Sequence, residues 1–110
     1  MKTPVSLPIP LIMTLKKVGH DIYDARRRRR IGVTLMAERA GLSRSTIGKI
    51  EKGDPTTSIG GYAAVLFVLG MTDRLANLVD AMYDITGRQL VDEKLPKRIR
   101  LPRKSTVSKK

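Results

Sequence analysis

Apolar positions recur at three- and four-residue steps along most of this chain, interrupted by glycine, proline and short polar turns, and that rhythm predicts helices. The first helix is expected from about Leu11 to Arg29. Leu15, Val18, Ile22 and Ala25 share one face there, while Lys16, Lys17, Asp21 and Asp24 point elsewhere. Another turn would bring arginine onto the apolar stripe. Ahead of it, Pro4, Pro8 and Pro10 predict a loose extended arm through Pro10. Ile31 and Gly32 connect to a second helix, Val33 to Ala40, which buries Met36, Ala37 and Ala40 and ends at Gly41. Ser43 caps a third, about Arg44 to Lys52, with Ile47 and Ile50 inward. Gly53-Asp54-Pro55 stops it.

Ser58 caps a fourth helix reaching Leu69, the most apolar segment and the expected centre of the core, although Gly60 and Gly61 weaken its first turn. Gly70 closes it. Thr72 or Asp73 caps a fifth, about Arg74 to Tyr83, with Leu75, Leu78, Val79 and Met82 inward. After Gly87 the pattern turns mixed, then basic and spaced by Pro96 and Pro102, and Arg103 to Lys110 is expected to be disordered when free. The pattern therefore predicts an all-α protein: an arm over residues 1–10, a five-helix domain over 11–84 and a basic extension over 85–110. No internal repeat is visible.

Composition narrows the partner. Among 110 residues, 22 Lys and Arg stand against 10 Asp and Glu, a net charge of +12 that favours a polyanion. The excess is uneven: Arg26 to Arg30 is an unbroken block, and Lys94 to the end is basic with no acid. With no cysteine, a disulfide frame and a thiolate metal site are both excluded. The longest apolar run, Ile59 to Met71, is too short to cross a bilayer, and the N-terminus is a poor signal peptide. A cytoplasmic bacterial protein is the expectation. His20 is the only histidine, and no carboxylate pair, P-loop or dinucleotide fingerprint accompanies it. It is expected on a helix surface or in helix packing, so neither catalysis, a cofactor nor a metal is expected.

Val33 to Gly53 carries the chemistry. A helix-turn-helix needs a small residue where its helices touch, a glycine at the turn and apolar anchors behind the second helix. Ala37, Gly41, Leu42, Ile47 and Ile50 supply these at the right offsets. The opposite face holds Arg44, Ser45, Gly48 and Lys49, a surface suited to a major groove about 12 Å wide. Without the motif, Arg44 and Lys49 would read as an ordinary solvated face. Gly48 costs about 1 kcal/mol in a helix interior. Either it allows the backbone to approach DNA closely, or an exposed position tolerates it.

Val18-Gly19, Ile22, Arg26, Ala37, Gly41, Ser43, Ile47, Ile50, Glu51 and Gly53 resemble the lambda repressor/Cro (XRE) helix-turn-helix family over about Leu15 to Asp80. Within that family, Glu51-Lys52-Gly53-Asp54-Pro55 followed by the uncharged run Tyr62 to Met71 is similar to HipB-type antitoxins. The resemblance implies a five-helix lambda-repressor-like domain with Arg44, Ser45 and Lys49 at base edges, and Ser43 and Thr46 beside them at bases or backbone. It also implies an Arg26–Glu51 ion pair tying the first helix to the third. One module reads a half-site, so a homodimer on a palindromic operator in double-stranded DNA is expected. The implied protein is a transcriptional repressor and antitoxin of a type II toxin-antitoxin operon, with a HipA-type toxin kinase as partner.

The chain departs from the family where Val33 replaces a phosphate-binding glutamine and Leu35 replaces a polar residue. Arg27, Arg28 and Arg30 are candidate substitutes as backbone contacts, the alternative being a solvated charge run. The fifth helix and Gln89 to Leu101 are candidates for the dimer contact, and Leu35 with the basic tail for the toxin contact. Two other readings compete: a stand-alone phage-type or chromosomal repressor without a toxin, and an architectural protein binding nucleic acid non-specifically. The second wants aromatic platforms, and Tyr23, Tyr62, Phe67 and Tyr83 are few and mostly expected toward the core.

Overall fold

The computed structural model describes residues 6–93 and is all-α. Its elements are α1 (Ile9–Arg28), α2 (Val33–Ala40), α3 (Arg44–Glu51), α4 (Ile59–Leu69), α5 (Thr72–Ala76), a 3₁₀ turn (Ala81–Tyr83) and α6 (Ile85–Glu93). The N-terminal residues 1–5 and the tail from 94 onward lie outside the described residues, and with them Pro4, Pro96, Pro102 and the expected disorder of Arg103 to Lys110. The chain divides after Leu75 into two compact units, taken separately below.

α1 starts earlier than the prolines suggested. Pro8 is its N-cap and Pro10 stands in its first turn, where no intrahelical N–H is required and the fixed proline φ already fits a helix. The arm expected through Pro10 therefore becomes helix from Ile9. The middle helices follow their caps closely. Gly41 and Gly70 end α2 and α4 in the left-handed conformation, and the Ser58 side chain accepts the Gly61 N–H at the start of α4.

Four helices build the core of the first unit. Ile22 and Ala25 from α1, Met36 and Ala37 from α2, Ile47 and Ile50 from α3, and Val65 and Leu69 from α4 are buried together with Ile31. α1 and α2 each pack on both α3 and α4. Where α1 crosses the end of α3, the two backbones nearly touch. A Cβ on Gly19 would lie 2.6 Å from Gly53 N and from Ile50 O, and one on Gly53 would run into the Leu15 carbonyl. Gly53 also has φ 75°. This crossing sets the position of α3 against the rest of the unit.

α1 closes with Ile31 N–H bonded to Arg26 O and Arg30 N–H to Arg27 O, at 3.2 and 2.9 Å. In this closure glycine usually takes the left-handed position. Here Arg30 takes it, at φ 55°. Arg30→Gly is expected to stabilise the fold by up to about 1 kcal/mol, since relief of Cβ crowding outweighs the added freedom of the unfolded chain. A rise of a few degrees in Tm would register it.

The fifth helix differs most from the pattern. It stops at Ala76 instead of continuing to Tyr83, and Leu78, Val79 and Met82 are exposed, Val79 by 87%. Asp80 interrupts it: its backbone is extended and its carboxylate accepts the Met82 N–H, starting the 3₁₀ turn. Asp84 then accepts the Gly87 N–H and opens α6, so Gln89 to Glu93, the described part of the segment expected at the dimer contact, are helical. Two side-chain caps four residues apart displace one continuous helix.

Candidate nucleic-acid interface

α3 is an eight-residue helix with a capped start, a buried rear and a polar front. Ser43 Oγ accepts the Thr46 N–H at 3.1 Å and lies 2.9 Å from Thr46 Oγ1. These two side chains, expected beside the base contacts, are occupied with each other at the cap. Ile47 and Ile50 are fully buried behind. Arg44, Ser45 and Lys49 are exposed in front, and none of the ion pairs among the described residues involves Arg44 or Lys49. Gly48 shares that front, and a Cβ there would meet nothing among the described residues within 4 Å.

The far end of α3 is clamped. Arg26 Nε donates to Glu51 Oε2 at 2.6 Å and Nη2 donates to Oε1 at 3.1 Å, while Nη1 donates to the Ile31 carbonyl at 2.8 Å. The two side chains are only 8% and 11% exposed. Hydrogen bonding to Glu51 raises the Arg26 pKa above its ordinary value, against the opposing effect of burial. The guanidinium thus binds three elements at once: α1, the connector into α2 and the end of α3. Pairs of this bidentate kind fix geometry as well as charge.

The five arginines separate into different roles. Arg26 is internal. Arg27 donates to Tyr23 Oη at 3.1 Å, with its guanidinium 5.3 Å from that ring's centre. Arg29 donates to the Ala25 carbonyl at 2.8 Å and so caps its own helix. Arg28 and Arg30 are exposed. Of the three expected backbone contacts, Arg28 and Arg30 are the ones without a side-chain hydrogen-bond partner among the described residues.

Sequence pattern missed two cations near Lys49. Lys16 from α1 and Lys52 after α3 line, with Lys49, a groove of about 300 Å³ that also includes Ile12, Leu15 and Pro55. Only the α1–α3 crossing brings Lys16 there, and no local signal marks it. Asp54, beside the same groove, is held below the usual carboxylate range by the Thr56 N–H and then by the Thr56 hydroxyl. Its charge is held mainly by its own turn, with a weaker attraction to Lys49.

Other side chains sit away from this front. His20 is a surface residue, with Nε2 3.3 Å from Asp24 Oδ2 and its ring stacked near Tyr23. Of the four aromatic residues, expected mostly toward the core, Phe67 and Tyr83 are 73% and 68% exposed. Among the described residues no group of three or more potential metal ligands occurs, and no helix is long and apolar enough to cross a membrane. No family model, curated protein or solved structure matches the chain.

Proposed function

We propose that this chain is a sequence-specific regulator of transcription, a repressor that binds a palindromic operator as a homodimer in the bacterial cytoplasm. One observation carries the reading. Arg44, Ser45 and Lys49 are exposed, with no ion pair among the described residues, on a helix whose rear is buried through Ile47 and Ile50 and whose end is fixed by Glu51. Rigid presentation of free donors is what base readout requires. Arg44 and Lys49 suit guanine O6 and N7, and Ser45 suits bases or phosphates.

Arg44→Ala is expected to weaken binding to the preferred duplex by about 1–3 kcal/mol, while affinity for random duplex changes much less. Fluorescence anisotropy with both duplexes, titrated across salt, measures the difference. Equal loss on both would reduce Arg44 to a phosphate contact.

Dimerisation is assigned to the segment 76–93. Asp80, Asp84, Asp92 and Glu93 against Arg88 give it a net charge of −3, which opposes a DNA-facing role. It also exposes Leu78, Val79, Met82, Ile85 and Val91, the apolar surface a protein contact uses.

The exposure of Phe67 and Tyr83 favours a second reading, a non-specific nucleic-acid binder with stacking surfaces. The same anisotropy series separates the two. Equal wild-type affinity for selected and random duplexes would replace the first reading with this one.

A further inference from the structure

We infer that Gly48 is a specificity-determining position, at which the backbone of α3 itself seats against the DNA because no side chain keeps it away. This rests on the DNA-binding reading above. Interior glycine destabilises a helix more than any residue except proline, so its presence calls for a reason. The fold provides none. Gly48 is not among the residues with positive φ, unlike Gly41, Gly53 and Gly70. Its would-be Cβ points into open space, whereas Cβ atoms on Gly19 and Gly53 would collide with backbone.

Position supplies the reason that packing does not. Gly48 follows Arg44 by four residues and Ser45 by three, so it lies beside both on one face, next to Lys49. Three side chains able to reach bases or phosphates thus surround a bare stretch of helix. A groove floor fits such a surface: the flanking side chains reach outward while the backbone between them comes close. A larger residue at 48 would hold the whole helix off and lengthen the hydrogen bonds of its neighbours. Stability given up inside the chain is recovered only at an external surface.

The experiment uses the full chain and a duplex selected by the wild-type protein from a random-sequence library. Gly48→Ala, Gly48→Leu and Arg44→Ala are compared by thermal denaturation and by affinity for the selected duplex and for random duplex. Both Gly48 variants should fold and melt higher, Gly48→Ala by roughly 4–8 °C. Gly48→Ala should lose roughly tenfold in affinity for the selected duplex and Gly48→Leu more, with binding to random duplex unchanged. Wild-type affinity in Gly48→Ala, beside a loss in Arg44→Ala, overturns the role of Gly48 and leaves the DNA-binding reading standing. An unchanged or lower Tm also overturns it, because the glycine then costs the helix nothing. A wild-type chain that enriches no sequence overturns both.

Discussion

Gly19→Ala is expected to destabilise the first unit by about 3 kcal/mol, for the addition of one methyl group. The magnitude sits at the upper end of overpacking costs, which run to about 3 kcal/mol and occasionally beyond. The new Cβ would stand 2.6 Å from Gly53 N and Ile50 O and 2.7 Å from Glu51 O. All three are backbone atoms, so no rotamer change relieves the contact. Only sliding α1 off the end of α3 does, and that loosens the buried set around Ile22 and Ile50. Gly53→Ala is expected to cost at least as much, because the Leu15 carbonyl blocks the methyl and φ 75° adds its own strain. Urea denaturation reads both as lower midpoints. Gly32→Ala, at a site with nothing within 4 Å, serves as the control. An unchanged midpoint in Gly19→Ala would show that the helices do not cross this closely.

Loss of the buried ion pair should be as severe. Glu51→Ala leaves the Arg26 guanidinium buried without its carboxylate, a change that costs about 3–5 kcal/mol. Small domains have only about 5–15 kcal/mol of stability, so the variant should melt far below the wild type. Stability and orientation can be separated. Arg26→Met combined with Glu51→Leu fills the space with apolar atoms, and such replacements of buried pairs are often neutral or better. The double variant should regain most of the lost Tm, short of the hydrogen bond to the Ile31 carbonyl. On the proposed DNA-binding reading it should still bind a selected duplex more weakly, because nothing then fixes the end of α3 to α1 and the connector. Wild-type DNA affinity in this folded double variant would remove the positioning role and leave the pair purely structural.

The elements that could be read in advance are those with local causes. Gly41, Ser43, Ser58 and Gly70 each mark a helix boundary through their own backbone preference or side-chain bond: α2 ends, α3 begins, and α4 both begins and ends where these residues stand. Pro8 and Pro10 were misleading because their effect depends on position: a proline that breaks a helix interior is at home in the first turn. Leu75, Leu78, Val79 and Met82 show the limit of periodicity. They keep the helical spacing well, yet the helix stops at Ala76, the Asp80 cap starts a separate turn, and three of them are exposed. Spacing says which residues would share a face, not whether a surface exists to bury it. Phe67 fails for the same reason. α4 is apolar on all sides, so pattern cannot say which side turns inward.

The candidate site divides along the same line. Its front residues, Arg44, Ser45 and Lys49, follow from sequence, because the apolar spacing of Ile47 and Ile50 turns the opposite side outward. The Arg26–Glu51 pair was legible only through family resemblance, since nothing local joins residues 25 apart. By itself the sequence determined the helices with strong caps, the buried stripes and the basic partner-seeking charge. Each of these depends on neighbours within a turn or two. The tertiary structure alone decided how α1 crosses α3 at Gly19 and Gly53, which arginines of the block are committed and which are free, and that Lys16 joins Lys49. These depend on where distant helices meet, and a side chain's partner is set by that meeting rather than by its place in the chain.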